Sequence, residues 1–219
     1  SFVRLLNVSQ GFDSSGVMFY RIAAPRGATT PPAGYRPQML DMLSEIRALP
    51  GIEAAAAESG GPYESGYSSS PVTIPGKSAP GPGDTPEMIR VRKVSAGFLE
   101  LLRVPLLAGR GFTYADGNGV SVAIINDLAA RRLWGERSPI GLSATIGEAS
   151  YEIVGVVGSM RYAGPAAELA PEAFLPFEQT ARSFATFLFR GPETLAPAVK
   201  AAIWSVNPAQ PVSELFTAD

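Results

Sequence analysis

The chain has no cysteine and no histidine among its 219 residues. Without cysteine there are no disulfides, thiolate metal sites or sulfur nucleophiles. Without histidine the usual general base near neutral pH and the commonest transition-metal ligand are gone. Charge is also scarce: only 17% of residues are Asp, Glu, Lys or Arg, with a formal net charge of -2. No basic surplus exists to neutralise phosphates, so nucleic acid is not an expected partner. No uninterrupted apolar run of about 18 residues occurs, so nothing in this sequence reads as a membrane-spanning helix. The opening segment carries no signal-peptide pattern. Its apolar cluster Phe2, Val3, Leu5, Leu6 and Val8 beside Arg4 fits either a piece cut from a membrane protein or an ordinary N-terminal amphipathic turn.

What is present is a folding composition. Hydrophobic residues make up 46%, and 23 Gly and 20 Pro punctuate the chain. The segment 17–25 reads as a strand in which Val17, Phe19 and Arg21 face away from Met18, Tyr20 and Ile22, with both faces largely covered. Met39, Met42, Leu43, Ile46 and Leu49 mark a helical stripe over about 35–48, stopped by Pro50-Gly51. A strand is expected at 52–59. The same cadence returns at the C-terminus: a strand at 184–190, a helical stripe Leu195, Val199, Ile203, Val206, and a last strand at 211–216. Two strand–helix–strand units can pair into one four-stranded sheet with both helices on one face. The fold class expected is therefore α+β, a discontinuous ferredoxin-like βαββαβ unit from residues 1–60 and 181–219, with residues 61–180 inserted as a β-rich subdomain.

Within the insertion, the Gly/Pro/Ser-rich tract 60–86 is expected to be surface loop, with at most a short strand at 71–75. Strands are expected at 88–95, 120–125, 142–147, 151–162 and 172–177. Short helices are expected after Phe98 and from the Asn126/Asp127 cap through Trp134 to Gly135.

Several strings resemble chemical motifs and fail on inspection. Gly76-Lys77-Ser78 looks like the end of a phosphate-binding loop, but the required glycine five residues earlier is Pro71. Ser59-Gly60-Gly61 lacks the flanking glycine of a nucleophile elbow, since residue 57 is Ala, and there is no histidine to take the proton. A Ser–Lys hydrolase using Lys77, Lys93 or Lys200 has no supporting spacing. Asp116 and Asn118 begin a calcium-loop pattern that Val120 and Ser121 break, leaving a β-turn. Arg131, Arg132 and Arg137 around Trp134 could meet an anionic ligand or lipid headgroup, or stay solvated while Trp134 anchors its helix. No catalytic, cofactor-binding or metal-ligating residue is assigned, and no cofactor is expected.

Four blocks in order carry a family resemblance. VSAGFLELLRVPLLAGRGFTYAD (94–116) is similar to a segment in which a V-S-x-x-F/Y-F helix leads into a G-R-x-F-x-x-x-D turn; Val94, Ser95, Phe98, Gly109, Arg110, Phe112 and Asp116 carry it. SVAIINDLAARRLWGERSPIG (121–141) resembles a strand, an Asn-capped helix and a P-I/V-G turn, through Ile124, Asn126, Ala129, Arg132, Trp134, Pro139, Ile140 and Gly141. YEIVGVVGSMRYAG (151–164) and PEAFLPFEQ (171–179) match the two strands that follow. The chain thus resembles the extracytoplasmic core domain of MacB-type ABC-transporter permeases, in its Gly/Pro-rich style most like orphan permeases of acidobacteria.

That resemblance implies a domain outside the bacterial inner membrane, on the periplasmic side, between the first two transmembrane helices of a dimeric permease. It implies a porter-like subdomain from the chain ends and a Sabre-like insertion. It also implies a cytoplasmic ABC ATPase acting indirectly through the membrane part, with a periplasmic adaptor or substrate as a possible partner. The matched residues are scaffold, with Phe98, Trp134, Tyr151 and Phe174 expected in the core, and no enzymatic activity is implied. The segments near 58–62 and 178–183 are expected to act as a hinge between subdomains. The alternative function is a soluble peptide- or lipid-binding module.

Overall fold

A computed structural model describes residues 10–23, 35–62, 68–76, 85–117, 119–179 and 184–218. Alternating burial builds the central strand β1 (Val17–Ala23): Val17 and Phe19 join one apolar cluster, Met18, Tyr20 and Ile22 another. It pairs antiparallel along its whole length with β10 (Phe184–Arg190), and β10 pairs antiparallel with β2 (Ala54–Glu58). β11 (Phe216–Thr217) lies on the free side of β1, giving the order β11-β1-β10-β2. Strands from the two ends of the chain are thereby interleaved. Helices α1 (Tyr35–Ala48) and α4 (Ala196–Val206) cover one face, where Met39, Met42, Leu43 and Ile46 meet Val199 and Ile203.

The final strand is shorter than the expected 211–216. Val212 makes only an isolated bridge to Ile22. Pro211 has no N–H for a ladder, and the Ser213 hydroxyl accepts the Arg21 N–H at 3.0 Å, a bond that a strand carbonyl would otherwise take.

The middle of the chain forms a closed circuit of six strands. β4 (Met88–Val94), β3 (Ser68–Thr73), β7 (Ser143–Ile146), β8 (Ala149–Val157), β6 (Val122–Asn126) and β9 (Glu172–Pro176) pair in that order, and β9 returns to β4. β5 (Leu106–Gly109) adds to β8. All six strands of the circuit turn side chains into one cluster, including Val72, Ile89, Ile125, Ile146, Ile153 and Leu175, capped by Ala129 and Leu133 of α3 (Asp127–Trp134). A closed circuit leaves no unpaired edge among these strands, the usual reason for such closure. The tract 60–86 is therefore more than surface loop. Its residues 68–73 are a strand of the circuit, because Val72 and Ile74 are apolar enough to bury, while 63–67 and 77–84, with Lys77 and Ser78, lie outside the described residues.

The two units share a core. Val17, Phe19, Ala56 and Leu188 on the uncovered face of the four-stranded sheet pack with Phe98, Leu99, Leu101 and Leu102 around α2 (Phe98–Leu101). Ile124, Val154 and Phe174 from the circuit join the same cluster. Among the described residues no helix is long and apolar enough to cross a membrane.

Candidate functional site

Among the described residues the only ladder contact between the four-stranded sheet and the circuit is the pair Glu58–Val94. Polar groups concentrate around this crossing, and three arginines tie it together. The first, Arg92, stands on β4 between Arg90 and Val94 and is 2% exposed. Its Nε donates to Glu172 Oε1 of β9 at 3.0 Å, and its Nη1 to Glu58 Oε2 of β2 at 3.3 Å. The Tyr162 hydroxyl donates to Glu58 Oε1 at 2.5 Å, and its ring lies 4.5 Å from the Arg92 guanidinium carbon. Tyr162 is braced edge-on by Phe12 and Phe98.

Two carboxylates share one guanidinium here, almost out of reach of water. A buried charge surplus of this kind favours taking up a proton. Burial raises the Glu58 carboxyl above its ordinary range, with Glu172 adding to the shift, against the pull of Arg92 and Tyr162. Burial and the neighbouring Glu58 push the Tyr162 phenol well up, so it stays a donor.

The second arginine, Arg47, projects from the end of α1. Its Nε donates to Ala55 O at 2.9 Å and its Nη2 to Ala96 O at 2.7 Å, joining helix, β2 and the start of α2. Ser95 Oγ accepts the Ala57 N–H at 2.9 Å, and Glu178 Oε1 accepts the Ala96 N–H at 3.2 Å. The third, Arg190, ends β10. Its Nη2 reaches Leu101 O and Asp13 O, both at 2.9 Å, and its Nη1 donates to Ser15 O. Asp13 also pairs with Arg103 at 2.6 Å, and the hydrogen bonds from Ser15 are the largest cause holding its carboxyl down to about 2. Residues 10–16 thus strap both units: Gln10 O accepts the Arg161 N–H at 2.7 Å and the Asp13 N–H donates to Leu102 O at 2.8 Å.

The expected hinge takes a different form where it is described. Residues 58–62 are buried, the Ser59 N–H donates to Lys93 O at 2.9 Å, and Thr186 Oγ1 donates to Gly60 O. Glu178 is buried as well, and 180–183 lie outside the described residues. The first crossing is thus buried and hydrogen-bonded, where a free turn would leave backbone groups unpaired.

The motif residues are placed as scaffold. Arg110 grips Asp116 with two bonds of 2.7 and 2.9 Å, and Thr113 N–H and Oγ1–H donate to the same carboxylate, so the turn occupies the Asp116 oxygens with its own donors. Gly155 is required because a Cβ there would fall on Arg110 O. Asn126 caps α3 by accepting Ala129 N–H at 2.9 Å; it also accepts Glu172 N–H and donates to Ala170 O. Arg131 pairs with Asp127 at 2.8 Å and Arg132 with Glu87, while Trp134 is half-buried against the circuit core. Phe98 and Phe174 are fully buried, and Tyr151 lies at the core margin. Among the described residues no three acidic side chains gather into a metal-sized group.

The buried Arg92 cluster was not anticipated from sequence. Glu58 in AAAAE and Glu172 in EAFLP are lone charges in apolar strands, whereas Arg92 sits among Arg90 and Lys93 in MIRVRKV and does not stand out.

In solved structures the same fold recurs in the periplasmic region of MacB from Actinobacillus actinomycetemcomitans. The TM-score is 0.63 at 12% identity over 99% of this chain and 94% of that one. The extracellular domain of the noncanonic ABC-type transporter YknZ from Gram-positive bacteria aligns with TM-score 0.57 at 17% identity, over 90% of this chain and 100% of that one. No curated protein sequence matches. The family model of the MacB-like periplasmic core domain matches residues 4–204. The chain belongs to the MacB-like periplasmic core domain family, a family of ABC-transporter permease domains.

Proposed function

We propose that this chain passes ATPase-driven motion of an ABC-transporter permease to substrate or partner proteins outside the bacterial inner membrane. In this reading residues 1–60 and 181–219 are the porter-like, ferredoxin-like unit, and residues 61–180 the Sabre-like insertion. The working partners are the permease's own transmembrane helices, a cytoplasmic ATPase reached through them, a second permease copy, and a periplasmic adaptor or substrate. The strand order β11-β1-β10-β2, with both helices on one face, supports the porter-like reading.

The observation that carries the proposal is the shared core with its three arginine ties. A domain that transmits displacement must resist deformation between its input and its output. A continuous apolar cluster crossed by buried ion pairs does so, because interiors packed at crystal-like density transmit strain. Motion then passes through the domain as one stiff body rather than by flexing at 58–62.

Placement is tested in cells. The cysteine-free chain allows a single Arg137→Cys in the exposed turn after α3 of the full permease. A membrane-impermeant maleimide should label it in intact spheroplasts. Labelling only after lysis would refute the periplasmic placement.

A further inference from the structure

A cleft runs along α1 beside the interface between the units. Arg36, Leu40, Leu43, Ser44 and Arg47 recur at helical spacing and line one wall of a cavity of about 280 Å³, with Tyr114, Gly117 and Glu178 opposite. A second cavity of about 540 Å³ adjoins it, floored by Ile52, Ala54, Ala55, Ala96 and Phe112. Arg47 and Tyr114 border both. The Tyr114 ring centre lies 5.2 Å from the Arg47 guanidinium carbon, while the residue remains 66% exposed.

Among the described residues no carboxylate comes within ion-pair distance of either guanidinium on the smaller cavity, although Arg47 feels the charge of Glu178 and hydrogen-bonds Tyr114. Arg36 Nη1 donates to Glu178 O at 2.7 Å, and Arg47 donates to Ala55 O, Ala96 O and Ser95 Oγ. Every described ion pair uses other cations. The one carboxylate on the wall, Glu178, accepts the Ala96 N–H, and burial raises it against the pull of that bond and of Arg47. Arginines with spare donors beside a leucine-lined hollow recognise a carboxylate joined to an apolar body.

We propose that this cleft binds the carboxylate end of a peptide or small organic acid, held by Arg36 and Arg47, with Tyr114 as a cover that swings away. The carboxylate sits between the guanidiniums and its apolar side chain lies on Leu40 and Leu43. Displacing Tyr114 joins the two cavities and gives room for residues preceding a peptide's C-terminus. The site is independent of the transport reading, since its geometry depends only on the domain.

The test is an NMR titration of the domain with four probes: N-acetyl-leucine, an acetylated tripeptide ending in leucine, and the C-terminal amide of each. The acids should give saturable shifts at Arg36, Leu40, Leu43 and Tyr114, and the amides at least about tenfold weaker binding, the loss expected for a charge-assisted bond. A tighter tripeptide marks a peptide site; equal affinities mark a small-acid site. Arg36→Gln should weaken the acids at least about tenfold, and Tyr114→Ala should tighten the tripeptide; both side chains reach solvent, so dispersion of the spectrum verifies the fold. Absence of saturation, or equal binding of acids and amides, would overturn the proposal.

Discussion

Arg92 is the residue on which the junction turns. Removing one partner of a buried pair leaves uncompensated charge, so Arg92→Met should destabilise the domain by about 3–5 kcal/mol in denaturant titration. The triple change Glu58→Gln, Arg92→Met, Glu172→Gln removes the charges together and should recover more than half of that loss. The pH response follows from Glu58, whose folded pKa is raised. The folded state then binds more protons than the unfolded one as pH climbs past the ordinary carboxylate range. This contribution to stability is complete at low pH and is lost as pH rises through the folded value. Glu58→Gln should flatten that descending limb. Asp13 acts oppositely: its contribution is present above pH 3.8 and lost as pH falls toward about 2. The role of Arg92 was not legible in the sequence, where it is one of three positive residues in MIRVRKV. Periodicity assigns a face; it says nothing of whether a second layer covers that face, and here Tyr162 and Glu58 arrive from 70 and 34 positions away.

At the scale of elements the sequence spoke more clearly. The stripe Met39, Met42, Leu43, Ile46 faces the sheet as its spacing required, and Asn126 caps α3 in the observed geometry. β3 overlaps the short strand expected at 71–75 but begins earlier, because Ser68–Ser70 carry no apolar signal and are held by pairing with β4. β11 was overextended because Pro211 and Ser213 redirect its hydrogen bonds. A close approach of β8 to the turn after β5 requires one glycine in particular: Gly155→Ala places a Cβ on Arg110 O and should cost about 1–3 kcal/mol through overpacking. Gly135→Ala meets open space and should show only the backbone cost of its φ of 64° and ψ of -123°, about 1–3 kcal/mol. Thermal melts of the two variants, with Gly155→Ala also disturbing β8–β5 amide exchange and Gly135→Ala leaving it intact, separate these causes.

The whole molecule has sequence-distant ends woven into one sheet and a closed circuit of strands set against its open face. A cluster containing Phe19, Leu188, Phe98 and Phe174 belongs to both. The two units should therefore melt together: calorimetry should give one transition whose calorimetric and van't Hoff enthalpies agree. Two separable transitions would mean that the shared core contributes little.

The most direct test of stiff-body transmission is pulsed electron-spin distance measurement in the full permease. Labels on Ala201 of α4 and on Arg137 beyond α3, both exposed, report the distance across one domain. Labels on Arg137 alone report the distance between the two copies of the proposed permease dimer. On addition of ATP the distance across one domain should stay fixed while that between copies changes. A fixed distance between copies, or a change confined to the distance within one domain, would contradict it.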